Sequence, residues 1–314
     1  MIGLIRNELM KIFSRISSWV YIAVLVVGVL AGAIIYQNVY DEPNENFLAE
    51  TEAEIAQLKG QLEGAEEDEK EYIQIQIDEQ QKYVDAGINP TVKTNWHYLN
   101  EVVYGLTSLV TLFTVIVCSA NVSAEFSDGT IKQLLIRPHR RWSILLSKYI
   151  SVLLYSFFML FVLLGAGYLF GMLFIGAGDF DMKSFVFTFE GQKEVAIGSQ
   201  FFKGILLFLP SLFMIMTISF ALSTLFKSQA LAVGIGIAVL FGSTVLGSVI
   251  VFLAEKFTWV KFLIFPHLDL SIYTIQDTIL QDVTISTSLT ILLVYYIIFM
   301  VLSFLFFQKR DVSI

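Results

Sequence analysis

The sequence predicts an all-α polytopic membrane protein: six transmembrane helices, both termini cytoplasmic, and a helical extracellular insertion between spans 1 and 2. Three observations carry this. The 314 residues are 56% hydrophobic and only 15% charged, with a mean hydropathy of +0.70; soluble domains carry about 25% charged residues. Six runs contain no Asp, Glu, Lys or Arg: 16–40, 102–124, 149–178, 204–226, 228–254 and 283–308. The remaining charges are sorted by sign between alternate connecting segments. So apolar a chain has too little polar surface for a soluble globule, and far too much apolar content for a disordered one.

Each run reaches the roughly 20 apolar residues that a helix rising 1.5 Å per residue needs to cross the hydrocarbon layer. This gives TM1 at 18–37, TM2 at 100–124, TM3 at 149–176, TM4 at 204–226, TM5 at 228–254 and TM6 at 285–308. The first run has a basic leader and an Ala31-Gly32-Ala33 segment like a cleavage site. Its apolar stretch, Trp19 to Tyr36, exceeds a signal-peptide core, so it reads as a retained span. With the N-terminus inside, the inner segments (1–15, 125–148, Lys227 and 309–314) hold eleven basic residues and four acids. That is the positive-inside arrangement. The single cysteine, Cys118, lies within a span and forms no intramolecular disulfide.

The spans are as informative for what they lack. Ion-driven carriers place ionisable groups in the membrane as relays or ligands. The six runs contain none, and no histidine. There is no G-x-x-x-x-G-K-[ST] phosphate loop and no H-E-x-x-H. The expectation is a non-enzyme with no cofactor of its own, no metal site and no nucleic-acid partner. Any active transport would be driven by another polypeptide docked inside.

The docking surface is expected in the cytoplasmic loop 125–148. Asp128-Gly129 is a turn signal, Thr130 can cap a short helix over 131–136, and Pro138 ends it. Arg137, Arg140, Arg141 and Lys148 follow. Contact with anionic lipid accounts for such a basic loop; the functional alternative is a docking helix for a cytosolic protein. Residues 1–17 read as an amphipathic interfacial helix, with Ile2, Ile5, Leu9, Ile12 and Ile16 on one face and Arg6, Glu8, Lys11 and Arg15 largely elsewhere.

The run EFSDGTIKQLLIRPHRRWSILLSK, Glu125 to Lys148, resembles the cytoplasmic loop of ABC-2 type transporter permeases: an acid, Gly-Thr, an apolar helix, Pro, a basic residue, and a Lys entering the next span. The N-terminus (Glu8, Lys11, Trp19), the tight turn Ser223–Ala230 and the ending Phe307–Asp311 also resemble that family. The resemblance implies a permease subunit of a bacterial plasma-membrane exporter. It would pair with a second permease, as homodimer or heterodimer, and with two ATPase subunits that carry the ATP and Mg²⁺. It assigns coupling to the ATPase to Glu125, Gly129, Thr130, Ile131, Lys132, Leu134, Leu135 and Arg137. Polar span residues Ser108, Thr111, Thr114, Asn121, Thr217 and Ser219 are the candidates to line a path, and their low polarity suits an amphiphilic substrate. Two other readings stand beside it: an ion-driven secondary carrier, and a membrane scaffold or sensor with a partner-binding outer domain.

Outside, the insertion 38–99 is acidic, with fifteen acids and four lysines over 38–98. Helical spacing of Ile55, Leu58 and Leu62 predicts either one helix over 47–85, about 58 Å long, or a hairpin broken at Gly60 and Gly64. Residues 177–203 read as an extracellular loop. Residues 255–284 read as a second one, with Phe262–Pro266 a re-entrant or interfacial segment. The tail 309–314 returns inside. Gly28-x-x-x-Gly32 and Gly167-x-x-x-Gly171 predict close helix approach.

Overall fold

The computed structural model describes residues 1–40, 43–127, 140–188, 191–226, 228–254, 256–280 and 282–309. The chain is a helical multi-pass membrane protein. Among the described residues, five helices are long and apolar enough to cross a bilayer: α2 (Ile16–Val39), α6 (Thr107–Ser127), α7 (Arg141–Phe174), α8 (Ile197–Leu225) and α10 (Ile285–Lys309). A sixth, α9 (Gln229–Ala254), qualifies as a bent pair with a 45° change of direction between Ser243 and Val245.

The helices form an inner pair and an outer ring. α6 packs against α7, α8 and α9, and α8 also meets α10. Of the most apolar stretch of each helix, 78% is buried in α6 but only 22% in α2 and 17% in α10. Outer-ring residues such as Val27, Ile35, Leu173, Phe241 and Ile297 stand exposed. An exposed apolar belt of this extent is a lipid-facing surface.

Several boundaries differ from those set by the charge-free runs. α7 begins at Arg141 and α8 at Ile197, each some turns before its run. At 34 residues, α7 is about 51 Å long, against a hydrocarbon layer of about 30 Å, so its charged first turns extend beyond the apolar layer. Pro210 lies inside α8. The chain is not wholly helical. β1 (Lys183–Thr188) pairs antiparallel with β2 (Gly191–Ala196) within the loop 177–203, and a two-residue pair joins β3 (Thr278–Ile279) to β4 (Val283–Thr284). The Phe262–Pro266 region forms short 3₁₀ turns packed on α9.

The acidic insertion takes the hairpin form. α3 (Phe47–Gly64) and α4 (Glu67–Ala86) pack side by side, and α4 ends on Gly87 at φ 63°. Next comes a compact wedge, α5 (Asn95–Tyr98) followed by a single π-helical turn, Leu99–Val103. The predicted small-residue contacts receive this wedge. A Cβ on Gly32 would lie 2.7 Å from Val102, one on Gly167 2.8 Å from Val103, and one on Gly171 3.1 Å from Tyr98, whereas Gly28 faces open space. Tyr98 then donates to the Val29 carbonyl of α2 at 2.6 Å.

Two buried histidines hold segments that connect the apolar helices. His267 donates from Nε2 to the Lys261 carbonyl (2.9 Å), and its Nδ1 lies 2.8 Å from Ser288 Oγ on α10. Burial lowers its pKa, against the hydrogen bond to Lys261. Burial, aided by Lys93 and opposed by Glu101, lowers that of His97 to about 4. Both are therefore neutral when folded but titrate near 6.5 once unfolded. The unfolded chain binds more protons below that pH, so stability falls as pH drops through 6.5 and keeps falling to about 4. Thermal unfolding in detergent between pH 7.5 and 4.5 should show this decline, and it should flatten in His97→Asn.

Candidate functional site

Where α1 (Ile2–Ser14) meets the ends of α6 and α7, four charged side chains converge. Lys148 is fully buried. Its Nζ lies 2.8 Å from Glu8 Oε2 and 2.7 Å from Glu125 Oε1, and donates to the Asn121 carbonyl at 3.0 Å. Lys11 closes the ring, 2.7 Å from Glu8 Oε1 and 2.9 Å from Glu125 Oε1. Two lysines and two carboxylates cancel in charge, which makes their burial tolerable. Burial works against charge on Glu8, but Lys148 and Lys11 outweigh it and hold its carboxyl below the usual value. Burial likewise opposes Lys11, and its bonds to Glu8 and Glu125 raise its pKa overall.

Glu8 also adds a charged residue to the face of α1 that packs inward. The buried residues of α1 are Glu8 and Ile12, while Ile2 and Ile16 are exposed. Glu8 stands three residues after Ile5 and four before Ile12, so helical spacing already puts it on the buried face. Ser151 Oγ donates to the Ile5 carbonyl at 3.2 Å and fastens α1 to α7.

The tetrad grips both ends of the basic segment: Glu125 just before it and Lys148 just after. Of the predicted coupling residues, Glu125 belongs to the tetrad. Gly129, Thr130, Ile131, Lys132, Leu134, Leu135 and Arg137 lie outside the described residues.

The predicted path residues are dispersed. Ser108 is exposed and donates to the Gly105 carbonyl in the turn before α6. Thr111 is buried and weakly bonded to Thr107 (3.4 Å). Thr114 is fully buried, its hydroxyl without a hydrogen-bond partner among the described residues. Asn121 lies beside Lys148. Thr217 meets Tyr149 at 2.9 Å, and Ser219 meets Ser119 at 2.7 Å. Ser219 is part of a polar seam between α6 and α8. Ser223 Oγ donates to the Ser119 carbonyl (2.6 Å) and accepts from the Ser123 N–H (3.0 Å). Serines at 119 and 123, and at 219 and 223, are two small-x-x-x-small pairs that let the helices approach. Beside the seam, an apolar cavity of about 420 Å³ opens between α7, α8 and α10, lined by Leu153, Pro210, Phe213, Leu292 and Tyr296 among others.

Comparison with known sequences places the chain. The family described as "Protein of unknown function (DUF2705)" matches residues 70–313. The chain belongs to the DUF2705 family. Within Bacillus subtilis (strain 168), it is 33% identical over 322 residues to the uncharacterized protein YhcI, covering 100% of both chains. It is also 31% identical over 210 residues to the uncharacterized membrane protein YdbK, covering 67% of this chain and 80% of YdbK. The membrane description of YdbK agrees with the lipid-facing belt of this DUF2705 member.

Proposed function

We propose that this DUF2705 protein is the membrane-spanning permease subunit of an ATP-driven exporter of the ABC-2 type in a bacterial plasma membrane. Both termini and the basic segment lie on the cytoplasmic side. Two ATPase subunits bind there and supply the ATP and Mg²⁺ chemistry, and a second permease completes the path. The substrate is amphiphilic: lipid-like, a peptide or an antibiotic.

The observation that carries this reading is the charge tetrad. It ties the two ends of the segment that resembles a coupling loop to each other and to α1. A push on that segment would therefore be delivered to α1, α6 and α7 together rather than lost in a slack loop. The absence of charge from the six apolar runs adds support, because an ion relay would need ionisable groups there.

The test is purification of the tagged chain from native bacterial membranes in mild detergent. The expected result is an ATPase chain recovered with it, whose ATP turnover falls at least tenfold when Thr130–Leu135 is replaced by a Gly-Ser run. Recovery of the chain alone, with transport unchanged in the replaced variant, would sink the proposal.

A further inference from the structure

At the other end of α6 from the tetrad lies an open cavity of about 260 Å³, lined by the wedge, the β1–β2 hairpin, α8 and residues Thr274 and Ile275. It falls below the roughly 300–1,000 Å³ of drug-sized pockets, which limits an occupant to about the size of one amino-acid residue. The wedge contributes His97, Asn100 and Glu101 to its polar lining, beside Ser184, Gln200 and Thr274. The Thr94 backbone N–H donates to His97 Nδ1 at 3.3 Å, and the Thr94 hydroxyl lies 3.0 Å from the same nitrogen. A backbone N–H only donates, so Nδ1 is the acceptor and the ring proton sits on Nε2. His97 is 5% exposed, and its Nε2–H has no hydrogen-bond partner among the described residues. A donor without a protein acceptor is available to a ligand, and this one belongs to a residue that lines the cavity.

Glu101, one π turn further on, lines the same cavity. Its carboxylate accepts from the Tyr40 hydroxyl at 2.9 Å. It is also 3.5 Å from Lys93 Nζ, which sits 4.8 Å above the Tyr40 ring. A half-exposed carboxylate beside an aromatic face is a seat for an ammonium group, and Lys93 occupies it loosely. Phe185, Val195 and Ile197 give it an apolar side, with the Tyr104 ring admitted because residue 204 is glycine.

We propose that this cavity binds a small amphiphile carrying a primary ammonium next to a carbonyl. The carbonyl accepts from His97 Nε2–H, the ammonium displaces Lys93 from Glu101, and the apolar part packs against Phe185 and Val195. The site does not depend on the transport reading, since binding is measured without an ATPase.

The full chain in lipid nanodiscs is titrated calorimetrically with phenylalaninamide, which has all three features. N-acetylphenylalaninamide (no charge) and 3-phenylpropionamide (no amine) are the comparisons. Phenylalaninamide should bind at least tenfold tighter than either. Glu101→Gln should weaken it at least tenfold. Lys93→Met should tighten it severalfold, a gain not expected if Glu101 were only an ion-pair partner. His97→Asn keeps an acceptor for Thr94 but loses the cavity donor, and should weaken binding severalfold. Unfolding temperatures of Glu101→Gln and Lys93→Met verify that both variants are folded. Equal binding of the three compounds, no binding of phenylalaninamide at millimolar concentration, or unchanged affinity in folded Glu101→Gln would each overturn the proposal.

Discussion

Replacing Lys148 by Met should destabilise the protein by about 3–5 kcal/mol, the cost of breaking a buried ion pair by removing one partner. Lys148 is fully buried and touches both Glu8 and Glu125. Without it, two carboxylates share Lys11, which is itself partly exposed and held mainly by those two groups. Burial favours the neutral form of Glu8, and the loss of Lys148 removes much of what opposes it. The decisive comparison is Glu8→Gln with Lys148→Met, which leaves the neutral Lys11–Glu125 pair. The double variant should recover a large part of the loss, as neutral replacement of buried charges often does. A thiol-reactive fluorogenic dye reads unfolding directly, since Cys118 is the chain's single cysteine and is buried. If the double variant melts no higher than Lys148→Met, charge balance is not what holds these helices.

The six apolar stretches are legible in the sequence because membrane insertion depends on length and the absence of charge, both one-dimensional properties. The helix ends are less so. α7 and α8 begin among charged residues, since a helix continues past the apolar layer as long as its backbone bonds do. The tetrad was half visible: Glu125 and Lys148 stand out as acid and base flanking the basic segment. Their meeting with α1 is a tertiary fact that periodicity cannot supply. Glu8 carried a usable signal, its spacing from Ile5 and Ile12, which grouping charges apart from apolar residues hides. The serine seam is similar. Gly-x-x-x-Gly was the conspicuous pattern, yet Gly32, Gly167 and Gly171 accommodate the wedge, while the less conspicuous Ser119, Ser123, Ser219 and Ser223 join α6 to α8. The β1–β2 hairpin left little trace, because strands this short alternate only weakly: β1 reads KSFVFT and β2 GQKEVA.

Gly236→Leu should disrupt the seam, whereas Gly234→Leu, two residues earlier on α9, should be nearly silent. A Cβ on Gly236 would lie 2.8 Å from Val115 Cγ1 and 3.3 Å from both Ser119 Oγ and Ser219 Oγ. These belong to α6 and α8, the most enclosed part of the bundle, and Val115, Ser119 and Ser219 are all buried. Leucine adds three more carbons beyond that clash. The relief available is for α9 to move outward, which would break the bond from Ser119 Oγ to the Ala232 carbonyl at 3.3 Å. Such overpacking typically costs about 1–3 kcal/mol. A Cβ on Gly234 meets nothing within 4 Å, so the same side chain there projects into open space and should change stability by less than about 0.5 kcal/mol. Both glycines lie in one helix with the same propensity cost, so the difference between the variants isolates packing. Cys118 exposure on heating measures it. Equal melting of the two variants would mean that α9 does not rest on the seam through Gly236.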